Sequence, residues 1–264
     1  MTQIDLGTNE LAFEVEGGIA WLTFNRPQAR NAMTWAMYEG LYQACERADT
    51  DDAIAVLVLR GAGELAFVSG TDISQFTAFT TPEHALNYET NQNRHIGRVE
   101  AVRKPTIAML RGYCTGGGAA IAAVCDFRIA APDVRYGIPI ARTLGNTLSL
   151  RNIARLVALL GPARTKDLLM TGRFIEAEEG KAIGLFNEVV NAERLEARTH
   201  ELAELLASNA PLTLRSVKEA VRRVLERVAP EEANDLVLMA YMSDDFREGV
   251  AAFLEKRPPR WKGR

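Results

Sequence analysis

Residues 112–123 read GYCTGGGAAIAA, in which three consecutive glycines precede a run of small apolar residues that favour a helix. Glycine weakens a helix or a strand by about 0.5–1 kcal/mol, so a triplet at this point needs a physical reason. A helix that begins near Gly117 leaves its first amides without intrahelical partners and points them at whatever lies in front. The glycines therefore either allow close packing of the helix on a sheet or leave the amides open to an anionic oxygen.

The first half of the chain alternates short apolar runs with longer helical patterns, which predicts an α/β fold. The predicted strands are residues 19–24, 54–59, 106–110 and 127–130. A helical pattern runs from Met33 to Ala48, and Asn31 is predicted to cap it. After Arg151 the strand signals fade to little beyond FNEVV, and helices are predicted over residues 192–208, 213–228 and 230–256.

Composition argues against several classes of protein. The chain has 264 residues, 47% of them hydrophobic, and a net charge of only −3 without any block of like charges, which does not favour nucleic acid or a membrane surface as a partner. Three cysteines without C-x-x-C spacing argue against a disulfide framework and a thiolate metal site. The N-terminus lacks a signal-peptide pattern, and the longest apolar stretch, 112–125, is too short for a membrane span. We expect a cytoplasmic protein that acts on small molecules.

A second loop strengthens the interpretation of the glycine triplet as a binding feature. Residues 61–76, GAGELAFVSGTDISQF, follow a predicted strand and precede a helical pattern, so the amide of Thr71 is expected to face a cleft at a strand end. The amides of Thr71 and Gly117 would then converge. The spacing of the glycines does not match either G-x-G-x-x-G after a strand or G-x-x-x-x-G-K-[ST], so nucleotide binding is not predicted.

Together the two loops resemble those of the crotonase, or enoyl-CoA hydratase/isomerase, superfamily. The resemblance runs over nearly the whole chain in five ordered segments: residues 24–34, 60–73, 104–139, 171–190 and 248–263. It implies a spiral of ββα repeats, which we place at residues 1–195, and a helical C-terminal trimerisation region, which we place at residues 196–264. It also implies homotrimers or hexamers, an acyl-CoA thioester as substrate, and no cofactor other than the coenzyme A of the substrate itself.

The resemblance assigns roles to individual residues. It implies that the backbone N–H groups of Thr71 and Gly117 form an oxyanion hole for the thioester oxygen of an acyl-CoA. The loop RPQARNA, residues 26–32, would wrap the adenine and ribose of coenzyme A. The CoA-binding residues implied are Arg26 and Arg30 near the phosphates, Ala32 in the same loop, and Phe253 and Lys256 reaching coenzyme A on a neighbouring subunit.

The chain departs from the family at both catalytic carboxylates. Hydratases of this superfamily carry one glutamate three residues after the oxyanion glycine and a second directly after a proline, where this chain has Ala120 and Ile140. A one-residue insertion would place Ala141 at the second position, which is equally apolar. Addition of water to a double bond needs groups that deprotonate water and protonate carbon, so standard hydratase chemistry is not expected.

Four polar residues near the expected site are candidates to replace the glutamates. Arg142 either pairs with a carboxylate of the substrate or lies at the surface or a subunit interface. Asn146 falls near the aspartate nucleophile of the dehalogenase branch, but an amide cannot serve as that nucleophile. His95 and Glu89 belong to a helical segment, residues 88–102, that borders the acyl pocket in the family. The histidine is either an acid–base group or a structural residue.

Two classes of function therefore remain open. The first is an enzyme, a lyase or isomerase, that stabilises a thioester enolate without the usual glutamates. The second is a catalytically silent acyl-CoA-binding or scaffold protein. The intact oxyanion loops around Thr71 and Gly117 favour the enzyme, since a scaffold would not require them.

Overall fold

A computed structural model describes residues 2–226 and 234–264 of the chain. The strands are β1 (Thr2–Ile4), β2 (Leu11–Glu16), β3 (Ile19–Phe24), β4 (Val56–Gly61), β5 (Ala66–Val68), β6 (Thr106–Leu110), β7 (Tyr113–Thr115), β8 (Phe127–Ala130), β9 (Arg135–Gly137), β10 (Ile175–Glu176) and β11 (Glu188–Val189). The helices are α1 (Trp35–Thr50), α2 (Pro82–Glu100), α3 (Gly117–Val124), α4 (Ile140–Thr143), α5 (Leu150–Leu160), α6 (Pro162–Thr171), α7 (Ala177–Ala182), α8 (Leu195–Ser208), α9 (Pro211–Glu226), α10 (Asn234–Tyr241) and α11 (Asp244–Leu254). Short 3-10 helices span Pro27–Ala29, Ile73–Ala78 and Ala192–Arg194.

The strands form two sheets within the described residues. One has the order β1-β2-β3-β4-β6-β8-β11 and the other the order β10-β9-β7-β5. From β3 to β11 the neighbours in the first sheet are parallel, and β5, β7 and β9 are parallel in the second. The chain passes from β4 to β5 and then α2, and from β6 to β7 and then α3, so each repeat adds one strand to each sheet and then a helix. This is the ββα order that the resemblance implies.

The predicted strands are confirmed, three of them at their predicted bounds. Residues 19–24, 106–110 and 127–130 match β3, β6 and β8, whereas β4 begins two residues later than predicted. The second strand of each repeat has only three residues, too few to show the alternation that identifies a strand in sequence. For this reason the residue patterns alone predicted one strand before each helix, a βα order, and not the ββα order of the structure.

The predicted cap of the first long helix was wrong. Helix α1 is capped by Thr34, whose side chain accepts a hydrogen bond from the amide of Met37 at 3.2 Å. Asn31 is instead buried: its Oδ1 accepts from the amide of Arg26 and its Nδ2 donates to the carbonyls of Ala62 and Ala66. An amide side chain that bridges two loops stabilises their relative position, so Asn31 shapes the site rather than the helix.

The predicted helix over residues 230–256 is two helices in the structure. Helix α10 ends at Tyr241, and Ser243 caps the start of α11 by accepting a hydrogen bond from the amide of Phe246 at 2.9 Å. The predicted helix end at residue 228 and start at residue 230 lie outside the described residues. In the C-terminal third, α11 folds back so that Phe246 packs against Phe76 with ring centroids 5.9 Å apart.

Helices pack on both sheets: α8 contacts strands of the seven-stranded sheet, and α3 contacts β5 and β7 of the other. Helix α8 packs Leu202, Ala203 and Leu206 on the seven-stranded sheet. The division of the chain into a core, residues 1–195, and a C-terminal region, residues 196–264, stays a prediction. Helix α10 lies against α2 and joins an apolar cluster through Val237 and Tyr241. Of the helices in the described ranges, none is long and apolar enough to cross a membrane.

Candidate active site

The two glycine loops meet because they follow neighbouring parallel strands. Strand β5 leads into Gly70 and Thr71, and strand β7 leads into the glycine triplet. Loops at the carboxyl ends of adjacent parallel strands share one edge of the sheet, where ligands commonly bind. A Cβ atom built on Gly70 would lie 3.9 Å from the amide nitrogen of Gly117, so the two loops are in direct contact.

The amides of Thr71 and Gly117 are both available to a ligand. Loop contacts use the neighbours of Thr71: the carbonyl of Gly70 accepts from the amide of Met33, and the amide of Asp72 donates to the carbonyl of Met33. Neither the Thr71 nor the Gly117 amide donates to another group among residues 2–226 and 234–264. Gly117 is also the first residue of α3, where the helix dipole adds positive potential.

Two glycines of the triplet have different neighbours, and close packing on the sheet is confirmed for one of them. A Cβ atom on Gly118 would overlap the carbonyl of Val68, so this glycine allows α3 to pack closely on β5. A Cβ atom on Gly117 would overlap the hydroxyl of Tyr38, which lies behind the loop. The bare backbone at position 117 thus lets the helix start approach Tyr38 while its amide stays free.

The two loops open onto a cavity of about 620 Å³. Its wall includes Thr71 and Gly117, the loop after β3, helix α2, and the segment between β9 and α5, which contains α4. Much of the lining is apolar and comes from Ile73, Phe76, Ile96, Ile138, Leu144 and Leu148. A mostly apolar cavity of this size with a few polar groups is typical of a small-molecule site.

Ala120 and Ile140 both line this cavity, one from α3 and the other from the start of α4. Ala141 is exposed and does not contribute to the lining. The alignment without an insertion therefore assigns the second glutamate position to Ile140, which lines the cavity. The alignment with an insertion would assign it to Ala141, which does not. Neither side chain can accept or donate a proton.

Glu89 is the acidic group that the fold buries in the cavity wall. It is only 4% exposed and lies on α2. The hydroxyl of Tyr241 donates to its Oε1 at 2.7 Å, and the amide of Ser149 donates to its Oε2 at 2.7 Å. Burial raises the pKa of Glu89 from 4.5 to about 7, although both hydrogen bonds oppose this shift. A carboxyl with this pKa can both accept and return a proton near neutral pH.

A cluster of hydroxyls surrounds the side chain of Thr71. The Oγ1 atom of Thr71 lies 2.8 Å from the hydroxyl of Tyr38 and 3.0 Å from that of Tyr88. Burial raises the pKa of Tyr38 to about 12, and that of Tyr88 also lies well above its ordinary value, so both phenols are neutral at physiological pH. The contacts hold the side chain of Thr71 and leave its backbone amide free.

The remaining candidates differ in whether they reach the cavity. Asn146 does, and its Nδ2 donates to the hydroxyl of Tyr241 at 2.9 Å. Arg142 does not line it: the side chain is exposed, and its guanidinium lies 5.7 Å from the ring centroid of Phe174. His95 is also absent from the lining, since it packs behind the cavity at 5.5 Å from the Tyr38 ring. Burial lowers the pKa of His95, so it is neutral there.

The predicted CoA-binding residues fall into two groups. Arg30 and Ala32 line the cavity, with the Arg30 guanidinium 5.1 Å from the ring centroid of Tyr113. Arg26 does not, because it is engaged with Glu10 at 3.0 Å and with Asp72 at 3.1 Å. Its role in the structure is to tie the first loop to the second.

The prediction that Phe253 and Lys256 reach coenzyme A on a neighbouring subunit stays a prediction. Both residues are exposed at the rim of the cavity of their own chain. The reason is the return of α11: its Gly249 packs directly on the backbone of Leu144, where a Cβ atom would overlap the carbonyl group. This contact brings the end of α11 to the mouth of the cavity.

Comparison with known proteins identifies the family. The family model described as enoyl-CoA hydratase/isomerase matches residues 14–264. The chain belongs to the enoyl-CoA hydratase/isomerase family. Short-chain-enoyl-CoA hydratase of Clostridium acetobutylicum is 33% identical over 94% of this chain and 96% of its own length. For 2,3-dehydroadipyl-CoA hydratase of Escherichia coli the identity is 30%, with 97% of this chain and 100% of that protein covered.

Solved structures of the same family confirm the crotonase-like α/β fold. An enoyl-CoA hydratase/carnithine racemase from Magnetospirillum magneticum superposes with a TM-score of 0.80 at 32% identity, over 99% of this chain and 97% of that one. An enoyl-CoA hydratase/isomerase from Xanthobacter autotrophicus gives a TM-score of 0.82 at 25% identity, over 94% of this chain and 97% of that one.

Two residues of this family member were missed from the sequence. Tyr38 shares a helical face with Met37 and Leu41, so a buried polar residue on an apolar stripe was the available signal. Tyr241 had no local signal, because it lies 152 residues from Glu89, its partner.

All three cysteines are buried and free. No cluster of three or more His, Cys, Asp or Glu side chains suited to a metal ion occurs in the described parts of the chain.

Proposed function

We propose that this protein is an acyl-CoA thioester enzyme that stabilises an enolate in an oxyanion hole formed by the amides of Thr71 and Gly117. The observation that carries the proposal is that two amides without hydrogen-bond partners among the described residues belong to adjoining loops of one cavity. Negative charge grows on the thioester oxygen as the enolate forms, and two preorganised donors stabilise that charge more than the neutral carbonyl.

The rest of the cavity fits a CoA thioester. Arg30 and Lys256, both exposed residues of the lining, supply positive charge for phosphates, while Phe253 offers an exposed ring for the apolar part of the ligand. The apolar wall accommodates an acyl chain. Arg26 is not part of this proposed contact, since its guanidinium is already paired with two carboxylates.

The proposed reaction is that of a lyase or isomerase of acyl-CoA metabolism and not hydration by two glutamates. Ala120 and Ile140, the residues that the resemblance puts in place of those glutamates, line the cavity, and neither transfers a proton. Enolate formation needs one base and an oxyanion hole, both of which the cavity can supply. Hydration by the usual route needs a second carboxyl to activate water.

The test is solvent exchange of the α protons of butyryl-CoA in D₂O, followed by mass spectrometry. Butyryl-CoA cannot be hydrated or isomerised, so exchange reports enolate formation alone. We expect incorporation of deuterium that depends on the protein and saturates with butyryl-CoA. Saturable binding without any incorporation would overturn the proposal and establish the alternative, a catalytically silent acyl-CoA-binding protein.

A further inference from the structure

The cavity contains few groups able to take a proton from a substrate. Asp72 lines it, but its Oδ1 accepts from the hydroxyl of Ser74 at 2.7 Å and its Oδ2 pairs with Arg26. Lys256 stands at the exposed rim. His95 lies outside the lining. Burial raises the pKa values of Tyr88 and Tyr241 well above the ordinary value for tyrosine, so neither phenol is ionised near neutral pH. This leaves the carboxyl of Glu89.

Burial of this carboxyl has no compensating positive charge. Among the described residues, no lysine, arginine or histidine forms an ion pair with Glu89, and its hydrogen-bond donors, Tyr241 and Ser149, are both neutral. Tyr241, Tyr88 and Tyr38 interact electrostatically with Glu89, and all three are uncharged at neutral pH. An unpaired buried carboxylate is costly, and such groups concentrate at functional sites.

The two hydrogen bonds orient the carboxyl without saturating it. Each oxygen accepts one bond, from Tyr241 or from Ser149, and keeps a further lone pair. The donors come from separate elements: Tyr241 ends α10, and Ser149 caps the start of α5. Asn146 in turn donates to Tyr241. A group fixed from two sides with a free lone pair has the geometry of a general base.

We propose that Glu89 removes the α proton of the bound thioester, and that Tyr241 and the Ser149 amide hold its carboxyl for this step. The Cα–H bond breaks, the proton bonds to a carboxylate oxygen of Glu89, and the electron pair moves into the enolate whose oxygen lies in the oxyanion hole. The carboxylic acid exchanges this proton with solvent and delivers a solvent proton back to carbon, which regenerates the carboxylate, so no oxidant, reductant or co-reactant is needed. This inference rests on the proposed function.

In this arrangement the base enters the cavity from α2 and not from the positions of Ala120 and Ile140. Tyr241 makes the C-terminal helices a part of the site, since α10 supplies one of the two donors that fix Glu89. We regard Tyr241 as a positioning residue: it contacts the base and is neutral itself. Its hydrogen bond lowers the pKa of Glu89 against the larger effect of burial.

The experiment compares Glu89→Gln with Glu100→Gln in the butyryl-CoA exchange assay. Glutamine can satisfy both partners of Glu89, because its oxygen accepts from Ser149 and its NH₂ group donates to the Tyr241 oxygen. Glu100 is on the same helix but pairs with Arg155 and does not line this cavity. We expect Glu89→Gln to lose about 10²-fold or more in exchange while it still binds butyryl-CoA, and Glu100→Gln to exchange like the unmodified protein.

The outcomes separate the two proposals. Exchange by the unmodified protein that survives in Glu89→Gln would overturn the role of Glu89 and leave the oxyanion hole standing, whereas no exchange by the unmodified protein would overturn the proposed function itself. The pH profile provides a test that needs no variant at position 89. Exchange should rise with pH through about 7, the pKa of Glu89, and then level off.

Tyr241→Phe should move that midpoint to higher pH, because it removes a hydrogen bond that favours the carboxylate. A purely structural role of Tyr241 would change the amount of folded protein and leave the midpoint in place. A rate that does not change with pH across this range would overturn the inference, as would a midpoint that Tyr241→Phe does not move.

Discussion

The hydroxyl of Tyr38 lies 2.8 Å from Oγ1 of Thr71, and the same hydroxyl occupies the space that a side chain at position 117 would need. One buried phenol therefore touches both loops of the proposed oxyanion hole. Tyr38 comes from α1, and Met33, just before this helix, bonds through its backbone to Gly70 and Asp72 of the loop. The distance between the two amides is thus set by packing behind them.

Gly117→Ala should damage the proposed oxyanion hole. Its methyl group would overlap the Tyr38 hydroxyl, so the start of α3 must shift. Loss of one oxyanion donor costs about 10²–10³-fold in rate, and we expect a fall of this order in α-proton exchange.

Removal of the Tyr38 hydroxyl provides the matched control. The double variant Tyr38→Phe/Gly117→Ala has no oxygen for the methyl group to overlap, so its exchange rate should return to that of Tyr38→Phe alone. Equal rates in Gly117→Ala and the unmodified protein would show that the position of this amide does not matter to the reaction.

Hydration of crotonyl-CoA should be very slow or absent in the unmodified protein. Each general acid–base group typically contributes about 10²–10⁴-fold, and both positions carry apolar residues. Ala120→Glu/Ile140→Glu should raise the rate, since both positions line the cavity. Ala120→Glu/Ala141→Glu is the matched control, because residue 141 is exposed. Hydration by the unmodified protein at about 1–10³ per second, measured by loss of absorbance of the enoyl thioester, would contradict this account.

The buried carboxyl of Glu89 should make stability depend on pH. Its pKa is raised from 4.5 to about 7 in the folded protein, so between these values the folded state binds more protons than the unfolded state. Stability is therefore lost as pH rises through this interval. At about 1.4 kcal/mol for each pKa unit, the full cost above pH 7 is about 3 kcal/mol.

Glutamine at position 89 carries no such cost. In urea unfolding, the stability of Glu89→Gln relative to the unmodified protein should increase by about 3 kcal/mol from pH 4.5 to pH 8. A difference between the two proteins that stays constant over this range would mean that Glu89 ionises in the folded protein at its ordinary pKa.

The exposed face of α9 predicts self-association. Five large apolar side chains of this helix are exposed: Leu212, Val217, Val221, Val224 and Leu225. Such a surface is expected to pack on another copy of the chain, and the family resemblance implies trimers or hexamers. Sedimentation should give three or six chains, and Val221→Glu should shift the population to smaller species. A monomer at micromolar concentration with α9 folded would contradict this prediction.

The parts of the fold that the sequence predicted are those with a strong local signal. Strands β6 and β8 are long enough, and rich enough in apolar residues, to be placed at their correct ends. The three-residue strands β5, β7 and β9 are defined by their neighbours in the sheet and have no periodicity of their own. They were expected only through the family resemblance.

The same limit applies to the site. Thr71 and Gly117 were predicted as site residues because glycine-rich loops are visible in sequence, and Glu89 because its helix was expected to border the pocket; all three line the cavity. Glu89 lines the cavity and His95 does not. This difference follows from the way α2 packs, which the sequence around either residue does not show. The contact of Tyr241 with Glu89 depends on the return of the C-terminal helices over α2.

The most direct test of the account is a crystal structure of the protein with butyryl-CoA bound. We predict that the thioester oxygen lies about 2.7–3.1 Å from both the amide nitrogen of Thr71 and that of Gly117. Butyryl-CoA bound with its thioester oxygen away from both amides would contradict the assignment of the oxyanion hole.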